Sequence, residues 1–425
     1  MNPITDHSDA IFNFPIKDKS NDIIKVIGVG GGGGNAVRNM YSQGITNVSF
    51  AICNTDSQAL ASTDIPVRIQ LGEKGLGVGG NPEKGREAAE KSIEDIRRLF
   101  DDNTQMVFIT AGMGGGTGTG ASPVIASVAK EMGILTVGVV TLPFAFEKRK
   151  RIKQALLGIE QLKKTVDTLL VINNERLPEI YSDISVTEGF FKADEILTVA
   201  TKCIAEIITI KGIVNRDFCD VETVMKDGGG AIISMGKASG EHRIMKAMSN
   251  ALNSPLMSDV EIEKAQRLLY IIYTCDKSPV MINELTEVNT FMDSLDEDLE
   301  VLWGLYEDNT LGDDVKVAII ATGFDKQKAI VDEKKDEDKL NRLYETYYNR
   351  KPVSPTIADE TKHEADSIPD VEEHGEEQPD TNPEIDEKNP IEEMPNREEE
   401  RQAHKGRRTK WLEAIGNMLS SYVNE

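Results

Sequence analysis

The chain has 425 residues and a mass of 46.8 kDa, room for two packed domains with appendages rather than one small module. Hydrophobic residues make up 39% and charged residues 28%, enough to bury a core, whereas a formal charge of -24 argues against bulk nucleic-acid binding, where a basic face must neutralise phosphates. No apolar run approaches the roughly 20 residues of a membrane-spanning helix, and the first 22 residues lack the basic start and apolar stretch of a secretory signal. Cys53, Cys203, Cys219 and Cys275 form no CxxC pair, which disfavours a disulfide framework and a zinc site alike. The expectation is a cytoplasmic protein with reduced, mostly buried thiols and no metal ligated by side chains.

Residues 1–22 read as a flexible lead-in. From there, IIKVIGVG (23–30), NVSFAICN (47–54), MVFITAGM (106–113), ILTVGVVT (134–141) and TLLVIN (168–173) are short apolar runs of the kind found in buried parallel strands. Asn35 to Tyr41 and Glu83 to Phe100 carry apolar residues at helical spacing. Such alternation predicts an α/β, Rossmann-like doubly wound domain over 23–186, with its ligand at the C-terminal ends of the strands. A periodic stretch from Thr187 to Ile210 predicts a long central helix (187–212). A second, α+β domain is expected over 213–324, and no internal repeat is found.

Two glycine clusters carry the chemistry. GVGGGGGNAV runs from the end of a strand at Gly28 into a helix expected to begin near Asn35, and its glycines let backbone N–H groups approach an anion. Alone it is ambiguous. Gly28-x-Gly30-x-x-Gly33 also satisfies the dinucleotide fingerprint, with Asp56 as a possible ribose ligand, and a glycine-rich turn packing helix on strand would look the same. The second cluster, GMGGGTGTGASPV (112–124), again lies between strand and helix. Two such nests on one sheet edge suit a di- or triphosphate better than a single pyrophosphate. Neither contains GxxxxGK[ST], so phosphate charge falls to amide dipoles and a metal ion.

Beyond 324 the composition changes. Residues 351–400 hold 18 Asp and Glu against four Lys and Arg, seven of the 16 prolines and no aromatic residue, so they cannot bury enough apolar surface to offset their ordering entropy. The stretch from about 325 to 402 is expected to be an acidic disordered linker. After it, Lys405, Arg407, Arg408 and Lys410 lead into Trp411, Leu412, Ile415, Met418 and Leu419, one helical stripe. Residues 403–425 are therefore expected to form an amphipathic interaction helix. A partner groove is the first reading; direct binding to anionic lipid and packing on the globular body are the others.

The pair GVGGGGGNA and GGGTGTG, with NTD at Asn54 to Asp56, NPEKGR at Asn81 to Arg86, and PFAFE followed by Arg151, resembles the tubulin/FtsZ family of GTPases over about Ile23 to Phe324. GGGTGTG is that family's signature rather than a generic glycine loop. The resemblance implies a GTPase using GTP/GDP, with Mg2+ carried on the nucleotide, that polymerises with itself into the division ring. It further implies recruitment to the division site at the inner face of the membrane through a membrane-tethering protein, with membrane contact indirect. By position, Gly31, Gly32, Gly33, Gly34 and Asn35, with Gly116, Thr117 and Gly118, would contact the phosphates. Glu147 and Arg151 would lie on the ribose side, and Asn174, Phe190 and Asp194 would hold the guanine. On spacing alone, Phe190 and Asp194 share one helical face; they also read as ordinary core and a solvated residue. Glu147 sits in a basic run, FEKRKR, that departs from the family's pattern.

A helix over 187–210 that touches the base at its start ends about 35 Å away. Beyond that end comes NRDFCDVETVM, with Asn215, Asp217 and Asp220. Locally, Asp217 as N-cap and Asp220 at the third helical position would form a capping box. The segment also resembles the family's catalytic loop, which acts on the neighbouring subunit's nucleotide. The two readings are compatible, because a helix N-terminus favours ionised carboxylates. A nicotinamide oxidoreductase would explain the first glycine cluster but not GGGTGTG or NRDFCD, and a purely structural filament would not explain the paired carboxylates.

Overall fold

Alternating apolar side chains build the sheet, and the computed structural model describes it across residues 22–45, 47–181, 184–209, 212–214, 217–254, 265–292, 299–324, 343–344 and 347–348. All of these lie in one compact unit. In chain order the elements are β1 (Ile24–Val29), α1 (Gly30–Ser42), β2 (Ser49–Asn54), α2 (Ser57–Ala61), β3 (Val67–Gln70), α3 (Pro82–Lys91), α4 (Ile93–Arg98), β4 (Met106–Gly112), α5 (Thr117–Glu131) and β5 (Leu135–Leu142). Then follow α6 (Arg149–Lys163), β6 (Thr168–Asn173), α7 (Leu177–Ile180), α8 (Val186–Thr209), α9 (Phe218–Met225), β7 (Gly229–Ala238), α10 (Arg243–Leu252), β8 (Arg267–Thr274), α11 (Ile282–Met292), β9 (Glu300–Glu307) and β10 (Val315–Thr322).

The strands form one sheet in the order β3-β2-β1-β4-β5-β6-β7-β10-β8-β9. The first six run parallel in the 3-2-1-4-5-6 order of a doubly wound fold. β7 continues the parallel set for three residue pairs beside β6, after which β10 lies antiparallel to both β7 and β8. The sheet therefore runs on across the boundary expected near 187–213.

Alternate residues point to opposite faces. Ile27, Val29, Cys53, Ile109 and Leu142 pack with α3, α4, α5 and α6 in one core. Val26, Ile52, Phe108 and Val139 pack with α1, α8 and α9 in the other, which continues under the second half of the sheet to Leu269, Ile271 and Ile320. The long helix α8 thus shares one apolar core with both halves. Its buried residues, among them Ala193, Leu197, Ala200, Ile204 and Ile207, recur at the three- and four-residue steps that make one stripe.

Several elements differ from expectation. α1 begins at Gly30 rather than near Asn35, because the glycine run itself turns helical after a first residue with φ +71°. Glu83 to Phe100 is two helices broken at Ser92, whose hydroxyl accepts from the Gly72 N–H at 2.9 Å. NPEKGR is read locally as a helix start: Asn81 caps α3 by accepting from Glu83 and Lys84, and Pro82 occupies the first turn. α3 then crosses α5 at close range. A Cβ on Gly120 would lie 1.9 Å from the Pro82 carbonyl oxygen, and one on Gly85 would lie 2.4 Å from that of Gly116.

The segment expected to be linker also departs from the reading at its start. Leu343, Tyr344, Tyr347 and Tyr348 are helical and packed against the α5–α6 side of the core. The physical reason is compositional: NRLYETYY (341–348) is aromatic, unlike the Pro- and Glu-rich stretch after it. The amphipathic stretch 403–425 and the lead-in 1–21 lie outside the described residues.

Candidate functional site

Strand order reverses between β1 and β4, and in open α/β sheets the crevice at such a switch point, beyond the strands' C-terminal ends, is where ligands bind. Both glycine clusters leave those two strands. Gly30 opens α1 directly after Val29, and Gly112 to Gly116 carry the chain from β4 into α5. The two turns abut: a Cβ on Gly30 would stand 2.8 Å from the Gly118 nitrogen. Two helix N-termini therefore meet with their unsatisfied N–H groups side by side, an arrangement that favours an anion carrying more than one charge.

Gly31, Gly32 and Asn35 are exposed on the first turn, whereas Gly33 and Gly34 are buried in its packing. Gly116, Thr117 and Gly118 are buried on the second, and the Thr117 hydroxyl lies 2.7 Å from that of Thr55 at the end of β2. Gly31 and Gly115 have open space where a side chain would be; Gly115, which the sequence reading passed over, is the bare backbone at the tip of the second turn. Asn35 Oδ1 accepts from Arg38.

Further candidate side chains come from the turns after β5 and β6, from α6 and from α8. Glu147 is nearly buried, accepts from the Phe144 N–H at 3.0 Å and pairs with Arg151 at 3.1 Å. Arg151 crosses the second turn, its Cγ 2.8 Å from where a Cβ on Gly114 would be. Glu175 accepts from the Ala145 N–H at 2.7 Å, joining the turn after β5 to the turn after β6. Asn174 is buried, and its Oδ1 has no hydrogen-bond partner among the described residues. The Phe190 ring stands edge-on to Phe144, centroids 5.2 Å apart, and stays 42% exposed, leaving a face for another ring. One helical turn on, burial pushes the Asp194 carboxyl up to about 7 against the opposing pull of Arg38. A desolvated carboxylate and an unmet amide oxygen both call for N–H donors. Asp56, the ribose ligand of the dinucleotide alternative, instead caps α2, accepting from Gln58 and Ala59 at 2.9 and 3.3 Å.

Asp217 and Asp220 form the capping box: Asp220 donates its N–H to the Asp217 carboxylate at 3.0 Å, and the reciprocal bond is 3.2 Å. Asn215 lies outside the described residues. α9 follows α8 in the chain and packs in the same core. Its Met225 carbonyl accepts from Thr168, the first residue of β6, whereas the glycine turns leave the C-terminal ends of strands parallel to it. Along α8, about 22 Å of helix separates Asp194 from Thr209. One chain thus brings the glycine turns, Glu147, Arg151, Asn174, Phe190 and Asp194 to one edge and does not bring Asp217 and Asp220 there.

Residues 23–182 match the family model described as Tubulin/FtsZ family, GTPase domain, and residues 229–325 match FtsZ family, C-terminal domain. The chain is 51% identical over 322 residues to the cell division protein FtsZ of Porphyromonas gingivalis (strain ATCC BAA-308 / W83), covering 75% of this chain and 70% of that one. Among solved structures it is similar to an empty FtsZ dimer of M. jannaschii, with 42% identity and a TM-score of 0.67 over 72% of this chain and 89% of that one. In fold alone it resembles the GDP-bound CetZ1 monomer of Haloferax volcanii, at 21% identity and a TM-score of 0.62 over 75% and 98% of the two chains. No helix among the described residues is long and apolar enough to cross a membrane. With both halves of the fold and most of its length matched, the chain is a member of the tubulin/FtsZ family of GTPases.

Proposed function

We propose that this chain polymerises head to tail into the filaments of the cytokinetic ring, and that each GTP is hydrolysed between two copies. The observation that carries the reading is the separation of the glycine turns from Asp217 and Asp220 within one chain. A contact that joins one edge of a molecule to the opposite edge of the next is heterologous and generates an open filament unless its rotation closes. Self-association is also what the M. jannaschii relative displays as a dimer.

In this reading the amides of Gly31, Gly32, Gly33, Gly34 and Asn35 and those of Gly116, Thr117 and Gly118 cradle the phosphates. Glu147 and Arg151 flank the ribose. Asp194 and Asn174 read the guanine edge, and Phe190 offers its ring face to the base. Asn215, Asp217 and Asp220 of the next copy orient and polarise the water that attacks the γ-phosphorus as its bond to the β–γ bridging oxygen breaks, releasing GDP and inorganic phosphate. Positioning and charge stabilisation are most of what such a transfer requires. A Mg2+ ion would be held chiefly by the phosphates and water, as suits its reluctance to dehydrate, and would neutralise charge there. GTP favours assembly, and loss of the γ-phosphate from the contact weakens it. The 403–425 stretch would bind a membrane-tethering division protein at the inner face of the membrane.

Turnover per subunit should rise with protein concentration above a threshold, read as phosphate release with sedimentation in parallel; a constant specific rate down to high dilution contradicts the shared site. Nucleotide affinity should depend on Asp194. Burial pushes its carboxyl up to about 7 in the nucleotide-free fold, and the guanine donors need it ionised. Below that pH binding must expel a proton, and Kd climbs by up to about tenfold per pH unit. Asp194→Asn should weaken binding and flatten that slope in calorimetric titrations, and an unchanged slope removes Asp194 from the base site. Because this pKa lies above the ordinary 3.8, the nucleotide-free fold itself loses stability as pH rises through that window. Deleting residues 403–425 should spare GTP hydrolysis and abolish membrane recruitment in cells, whereas normal recruitment would retire the tail's role.

A further inference from the structure

The aromatic step at 343–348 does more than cover apolar surface. Leu343 and Tyr347 line a cavity of about 240 Å³ between α6, β6 and β7, but the polar contacts of the segment land elsewhere, on the two turns that flank the nucleotide site. The Tyr348 hydroxyl donates to the Pro143 carbonyl at 2.7 Å. The Tyr347 carbonyl accepts from Asn173 Nδ2 at 2.9 Å, and the Oδ1 of the same amide accepts from the Glu175 N–H at 3.1 Å. Glu175 in turn holds the Ala145 N–H. These bonds close a ring: Tyr347 to Asn173, Asn173 to Glu175, Glu175 to Ala145, and Pro143 back to Tyr348. Tyr344 stacks on Tyr348 with centroids 5.3 Å apart and lies under the Arg149 guanidinium at 5.4 Å, two residues from Arg151. Phe144 and Asn174 are the middle residues of the two turns so tied, and Glu147 accepts from the Phe144 N–H at 3.0 Å.

We infer that Tyr347 and Tyr348 are positioning residues for GTP binding: they fix the turns after β5 and β6 so that Glu147, Phe144 and Asn174 meet the nucleotide in a set geometry. The inference rests on the nucleotide site proposed above and adds to it a control point outside the family's glycine turns. The hydrogen bonds to Asn173 and Pro143 fall on the turns after β5 and β6, so the segment's expected effect is on how well nucleotide is held. Burial, then the nearby Glu175 and Glu147, raise the Tyr348 hydroxyl pKa, so it remains a donor to Pro143 throughout the physiological range. In sequence the acidic stretch begins at 351, three residues later.

The test uses the full chain, with GDP as the probe at protein concentrations below assembly, and with kcat and KM measured above it. Tyr348→Phe deletes only the hydroxyl. It should raise the Kd for GDP and the KM for GTP by about fivefold, the loss expected for one hydrogen bond, and leave kcat unchanged. Tyr348→Ala should raise Kd further. A segment that merely packs would give a silent Tyr348→Phe and a Tyr348→Ala that unfolds earlier with unchanged Kd, and either result with wild-type affinity overturns the inference. If Tyr348→Ala does not fold, Tyr348→Phe decides alone. A wild-type chain without affinity for GDP would overturn the nucleotide reading and this one together, whereas a wild type that binds beside an equal Tyr348→Phe overturns this one alone.

Discussion

The structure depends on one close contact, the meeting of Gly30 with Gly118 where strand order reverses between β1 and β4. No side chain fits between them. Their approach sets two helix N-termini against each other, so the orphan N–H groups of α1 and α5 converge without a lysine to supply charge. Like-signed helix ends repel, and something must hold them in place. Behind the second turn, α3 presses on α5 at Gly85 and Gly120, while Thr55 holds Thr117. Much of the glycine content of GGGTGTG thus serves helix crossing, which leaves Gly31, Gly32 and Gly115 as the bare backbone facing outward.

The second constraint is the rod. α8 contributes Phe190 and Asp194 at one end and hands the chain to the α9 capping box at the other, and its apolar stripe shares a core with both halves of the sheet. Packed side chains hold α8 along its length, Ala193 against Phe144 at one end and Ile204 and Ile207 in the shared core at the other. The capping box holds the carboxylates of Asp217 and Asp220 at the N-terminus of α9. The proposed sharing of the site between two copies rests on this placement, with the glycine turns beside the start of α8 and the capping box beyond its end.

The parallel strands and both glycine turns were legible because each strand is buried on two faces and reads as an unbroken apolar run. The capping box was legible because Asp-x-x-Asp before VETVM is a purely local signal. β3 was not, since VRIQ is four residues at a sheet edge with one charged side chain, and nothing in it competes with a loop reading. The break at Ser92 depends on a hydrogen bond from Gly72, twenty residues away. Phe190 and Asp194 were reachable through the family resemblance and a shared helical face; that Phe144 takes one edge of the ring and burial raises the carboxyl are facts of packing. The Asn173–Glu175–Ala145 ring was invisible for the same reason. The docked tyrosines could have been found, because three aromatic residues within NRLYETYY interrupt a composition otherwise poor in them.

The division of labour between two copies is tested most directly by mixing two inactive variants. Gly31→Asp places a carboxylate in the phosphate cradle at a position where a Cβ meets nothing within 4 Å, so the fold survives. Asp217→Asn with Asp220→Asn removes both charges, and Asn still caps a helix. Each alone should be inactive. An equal mixture pelleted as shared filaments should recover about a quarter of the normal GTP turnover, the fraction of head-to-tail contacts that join two intact halves. A mixture that co-sediments and stays as inactive as its components would contradict the account.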